Sequence, residues 1–130
     1  MNFLWYLLGL FVGLMLLLGN ALTGGPESMQ IGSGAPAPIY TCDETVPIKL
    51  DNGDFRFATS ATVINGAEIV SYTYDFGDGY AQTTTGAWVD HHYTMSGTYY
   101  VTATVNVKVH DTLTSVTSSS CQTTVKVNTP

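Results

Sequence analysis

Residues 72–79 read Tyr-Thr-Tyr-Asp-Phe-Gly-Asp-Gly, and their reading decides the fold. Tyr72 and Tyr74 alternate with polar Thr73, the period of a half-buried strand. Asp75, Gly77, Asp78 and Gly79 then supply residues that tolerate left-handed backbone or bond their own main chain. A strand running into a tight corner is expected here. Further along, residues 98–110 form the cleanest alternation in the chain. Tyr99, Val101, Ala103, Val105, Val107 and Val109 share one face, and Tyr100, Thr102, Thr104, Asn106, Lys108 and His110 share the other.

Tyr74-Asp75-Phe76-Gly77-Asp78-Gly79, followed by His91, Tyr93, Gly97, Tyr99 and Val101 in the order His-x-Tyr-x-x-x-Gly-x-Tyr-x-Val, resembles a PKD domain. The resemblance covers residues 42–127. It implies an all-β fold, an immunoglobulin-like antiparallel β-sandwich. It also implies a role as a spacer or binding module of surface proteins. Tyr74 stands where the family usually has Trp, so its hydroxyl needs a partner or a place at the edge of the core. His91 fills the family's His position, which implies a structural role, tying the corner through Asp75 or a backbone carbonyl.

Composition supports this class. Of 130 residues, the first forty set aside, about ninety remain, enough for one seven-stranded sandwich. Net charge is −6 and the only basic residues are Lys49, Arg56, Lys108 and Lys126. Such an acidic, sparsely charged surface repels phosphate backbones, so nucleic acid is excluded as a partner. Cys42 and Cys121 stand at opposite ends of the sandwich region, and in an exported protein they are expected to form a disulfide. Closing a loop of about 80 residues is worth up to ~4.5 kcal/mol on the chain-entropy model.

The chain divides into a hydrophobic N-terminal α-helix (1–22), a Gly/Pro-rich linker (23–41) and the sandwich (42–130). Residues 3–18 hold no charge, and three readings of them stand open. The first is a signal peptide cleaved after Gly19-Asn20-Ala21, although no basic residue precedes the apolar run. The second is an uncleaved membrane anchor, just long enough to span a hydrocarbon core. The third is a helix that packs on copies of itself through Gly9 and Gly13, a Gly-x-x-x-Gly step. This last arrangement resembles the subunits of type IV pilus-like filaments, with a hydrophobic helix in the filament core and a β-rich head outside. Trp5 departs from that pattern, standing where many bacterial pilins carry Glu.

Within the head, residues 46–50 read as a short first strand, 51–54 and Asn65-Gly66 as hairpin-type turns, and Phe55 and Phe57 as core. Tyr80, Trp88 and Tyr100 are expected in the core or at its edge.

The three histidines, His91, His92 and His110, are the only candidates for acid–base work near neutral pH. Neighbouring strand residues face opposite ways, so His91 and His92 make a poor metal clamp. Asp51 with Asp54, and Asp75 with Asp78, read as turn caps. Neither pair completes a calcium-loop pattern, and a calcium ion, if any bound, would choose Asp75 and Asp78. There is no nucleophile elbow, phosphate loop, zinc spacing or haem-attachment motif. No catalysis and no cofactor are expected. The expectation is a non-catalytic cell-surface subunit that joins copies of itself through the N-terminal helix. The alternative is a membrane-tethered or secreted module binding a surface protein or polysaccharide.

Overall fold

Strict alternation commits the long runs to extended backbone, and the Gly- and Asp-rich stretches between them to turns. The computed structural model describes residues 35–130. Eight strands follow in order: β1 (Ile39–Asp51), β2 (Asp54–Ile64), β3 (Ala67–Asp75), β4 (Ala81–Thr84), β5 (Trp88–His92), β6 (Gly97–Val109), β7 (Thr112–Val116) and β8 (Gln122–Val127). A three-stranded sheet has the order β1-β2-β5. A five-stranded sheet runs β4-β3-β6-β7, with β8 also on β6. Every pairing is antiparallel. The expected hydrophobic helix, with Gly9 and Gly13, lies outside the described residues, as does the linker up to residue 34.

The core lies between the sheets. Phe55, Phe57 and Val89 enter it from the smaller sheet, and Tyr72, Tyr74, Val101, Ala103, Val105, Val107, Val125 and Val127 from the larger. Phe76 and Tyr93 fill it from the segments that leave β3 and β5. Aromatic rings carry much of the contact: Phe57 meets Phe76 at 5.9 Å between centroids, and Phe55 meets Tyr93 edge-on at 6.0 Å.

Three expectations need correction. The first strand is not confined to residues 46–50; it begins at Ile39, because Ile39, Tyr40 and Thr41 pair with Ile64, Val63 and Thr62. A register shift between Cys42 and Glu44 interrupts its alternation. Asn65-Gly66 (φ 58° and 91°) has hairpin-turn backbone, yet it carries the chain from one sheet to the other instead of joining paired strands. His110 does not continue the polar face of β6. It is the first residue of a tight turn, with His110 and Asp111 at φ 49° and 65°.

The far edge of β6 is covered by one broken strand. β8 pairs with residues 97–102 and β7 with residues 105–109. The break leaves backbone acceptors without ladder partners, and hydroxyls meet them. Thr117 Oγ1 donates to the carbonyl of Ala103 (2.7 Å), and Ser118 Oγ donates to the carbonyl of Cys42 (2.8 Å). The break ends in a single 3₁₀ turn, Ser119–Cys121, which aims Cys121 across the core at the irregularity in β1. Cys42 and Cys121 form a disulfide there, with a Cα–Cα distance of 6.1 Å. The staple thus joins two of the places where the ladders are interrupted.

Candidate functional site

The corner after β3 is built from residues 75–80. Asp75 Oδ1 accepts the Gly77 N–H (2.9 Å), Asp78 Oδ1 accepts the Tyr80 N–H (3.1 Å), and the Phe76 N–H donates to the Tyr80 carbonyl (3.0 Å). Gly77 has φ 79°, and a Cβ there would run into the backbone of Tyr100. Only glycine meets both demands.

His91 reaches this corner from β5. Its Nε2 lies 2.7 Å from Asp78 Oδ2, and its ring stacks flat on Phe76 at 3.8 Å between centroids. The sequence pointed to Asp75 or a carbonyl as its partner; the partner is Asp78, because Asp75 is turned to Gly77. The edge of His91 meets Tyr93, whose ring stacks on Tyr99 at 4.3 Å. Tyr93 donates to the Phe76 carbonyl (2.9 Å), and Tyr99 donates to the Met95 carbonyl (2.8 Å). Gly97 opens β6 opposite Val127, and Val101 is fully buried. The motif residues therefore form one connected cluster. Its polar atoms hold turns, and its rings fill one end of the core.

Tyr74 is fully buried and donates to the Ala87 carbonyl (3.0 Å), which also accepts the Thr59 N–H (2.8 Å). Its hydroxyl has a partner, as its place in the core required. Burial pushes the phenols of Tyr72, Tyr74 and Tyr93 up, Tyr93 furthest, with the Asp78 carboxylate adding to the effect there.

The remaining candidates are drawn into surface pairs. His92 points away from His91, its Nδ1 2.6 Å from Asp54 Oδ1, while Asp51 Oδ1 accepts the Asn52 N–H (2.7 Å). His91, His92 and His110 do not converge. Both Asp78 oxygens and one of Asp75 are engaged in the corner. Among the described residues no group of three or more His, Cys, Asp or Glu side chains is placed to share a metal ion.

Sequence reasoning misplaced the three aromatics Tyr80, Trp88 and Tyr100, which are 70%, 52% and 72% exposed and not core. Trp88 and Tyr100 stand at outward-facing strand positions, and Tyr80 lies in the corner before β4. It also missed the cluster on the outer face of the smaller sheet. There Arg56 and Asp90 face each other across β2 and β5 and form a two-pronged ion pair (2.6 and 2.8 Å). The Arg56 guanidinium lies 4.1 Å from the centre of the Trp88 ring. The hydrogen bonds from Arg56 hold the Asp90 carboxyl below the usual carboxylate range, and the hydroxyls of Thr41 and Thr62 do the same for Asp43. Arg56 and Asp90 are 34 positions apart, and no spacing rule links them until the register of β2 and β5 is known.

Residues 36–126 match the PKD domain family. Among solved structures, the PKD1 domain of Vibrio anguillarum Epp is similar at 23% identity and a TM-score of 0.48, covering 75% of this chain and 100% of that one. The PKD1 domain from Vibrio cholerae metalloprotease PrtV is similar at 31% identity and a TM-score of 0.45, covering 74% of this chain and 100% of that one. No curated protein matches the chain.

Proposed function

The chain belongs to the PKD domain family, and from that premise we propose that it works outside the cell as a non-catalytic structural head. The observation that carries this reading is the corner itself. His91, Asp78, Asp75 and Tyr93, the side chains with the most chemical potential, are consumed in holding turns and filling the core. The Cys42–Cys121 disulfide supports an oxidising, extracytoplasmic setting. In the fuller form of the proposal, residues 3–18 assemble copies of the chain through the close approach that Gly9 and Gly13 permit, and the head is displayed on the outside of a pilin-like filament.

Negative-stain electron microscopy of material sheared from producing cells, with mass spectrometry of any filaments, tests this. Filaments containing residues 3–18 of this chain are expected, and Gly9→Ile with Gly13→Ile should abolish them. Recovery of the chain only from the membrane fraction, or with a mature N-terminus near Leu22, would overturn the filament reading.

A further inference from the structure

Asn-Gly occurs twice in the chain, at residues 52–53 and 65–66, and the fold treats the two copies differently. A glycine after asparagine leaves the next backbone nitrogen uncrowded and its chain free to turn, so that nitrogen can reach the side-chain carbon Cγ. At residue 65 the amide is tied down, because Asn65 Nδ2 donates to the Ala37 carbonyl (2.9 Å). No group of the described residues stands against the Gly66 position either, since a Cβ there would meet nothing within 4 Å. At residue 52 both conditions are reversed. Asn52 is exposed in the turn between β1 and β2, and among the described residues none holds its side-chain amide. Gly53 beside it is buried.

What buries Gly53 includes an imidazole. His92 Cε1 lies 3.2 Å, and Nδ1 3.5 Å, from the point where a Cβ on Gly53 would stand. His92 Nδ1 is also 2.6 Å from Asp54 Oδ1, and a carboxylate only accepts, so the neutral ring carries its proton on Nδ1. Nε2, bonded to the same Cε1 that approaches Gly53, keeps its lone pair. A carboxylate that fixes the tautomer and orientation of an imidazole in this way makes it a positioned base. The Gly53 carbonyl, for its part, accepts the Tyr93 N–H (2.8 Å) and so ties this turn to the segment that leaves β5.

From this geometry we infer that Asn52 is a site of self-modification, deamidating through its own backbone with His92 as the base. The Gly53 N–H gives its proton to His92 while its nitrogen bonds to Cγ of Asn52. The Cγ–Nδ2 bond then breaks, the proton passes from His92 to the departing nitrogen, and ammonia leaves behind a cyclic imide. Water, the one co-reactant, adds to either imide carbonyl and opens the ring to aspartate or isoaspartate. The sum is amide plus water giving carboxylic acid plus ammonia, with nothing oxidised or reduced. The product places a further carboxylate between Asp51 and Asp54, where like charges repel. Isoaspartate also lengthens the backbone of the turn by one carbon, which shifts the Gly53 carbonyl away from the Tyr93 N–H. The hairpin therefore records the age of the molecule and loosens with it.

The test is peptide mapping by mass spectrometry of the full chain, aged in mild detergent at neutral pH and sampled over weeks. In the folded protein Asn52 should convert to aspartate and isoaspartate at least tenfold faster than Asn65, and in denaturant the two should react at similar rates. His92→Phe, which keeps a ring and removes its nitrogens, should slow Asn52 about tenfold and leave Asn65 unchanged. Asp54→Ala, which leaves the imidazole without its orienting carboxylate, should slow Asn52 to a smaller extent. The direction separates chemistry from structure, because a His92 that only braced the turn would, once replaced, free the peptide and speed the reaction. The inference is overturned if folded Asn52 reacts no faster than Asn65, if its advantage persists in denaturant, or if both variants react as fast as the parent or faster.

Discussion

Tyr93 joins a ring that fills the core to a hydroxyl that closes the corner. Tyr93→Phe would keep the ring contacts and leave the Phe76 carbonyl without its donor, a loss of about 1–3 kcal/mol measurable by denaturant unfolding. The substitution also has a signature in pH. Because burial raises the folded pKa of Tyr93, its contribution is complete below the unfolded value of about 10 and is lost as pH climbs through that value toward the folded one. Alkaline unfolding should therefore be less steep in Tyr93→Phe than in the parent. The opposite sign holds for Asp43 and Asp90, whose folded pKa values are lowered. Their contribution is present above about 3.9 and declines as pH falls through the folded values. The two corner glycines separate strain from collision. Gly79→Ala meets open space at φ 94° and should cost about 1–2 kcal/mol, whereas Gly77→Ala must also displace the Tyr100 backbone and should cost about 3 kcal/mol or more.

At the scale of elements, legibility followed alternation. The run from Tyr99 to Val109 could be read because one face is apolar throughout, and it became the strand to which β3, β7 and β8 all attach. The start of β1 could not be read. Its buried positions, Cys42 and Thr45, are three apart because of the register shift, so period two fails just where the strand is longest. The ladder partners of Arg56 and Asn106 were equally hidden, since an alternating pattern fixes faces and leaves register open. The motif cluster was legible as a set, but the choice of Asp78 over Asp75 depends on which way each carboxylate turns within one tight corner. The His110-Asp111 turn gives a direct test of local chemistry. Two consecutive positive φ values favour Asn-Gly, so His110→Asn with Asp111→Gly should stabilise the protein by about 0.5–1 kcal/mol, read as a rise of several degrees in Tm.

Across the whole molecule, one covalent link ties the first strand to the turn that opens the last. The two cysteines are 79 positions apart, and replacing both with Ser should cost about 2–4 kcal/mol, a fall of at least about 10 °C in Tm for a domain of this size. The same link has a mechanical consequence. The chain enters the domain near Asn65 and His110 and leaves it beside Gly97, at the other end of β6. Tension applied between Ala37 and Val127 would pass from Cys42 directly to Cys121, leaving everything between them outside the line of force. With the bond intact, only the short segments flanking the cysteines can be drawn out, on the order of 50 Å of extended chain. Once it is reduced, the full domain can yield on the order of 300 Å. Single-molecule pulling in the presence and absence of reductant would read that difference as a length, and would show the head to be a link whose stretch is limited by one bond.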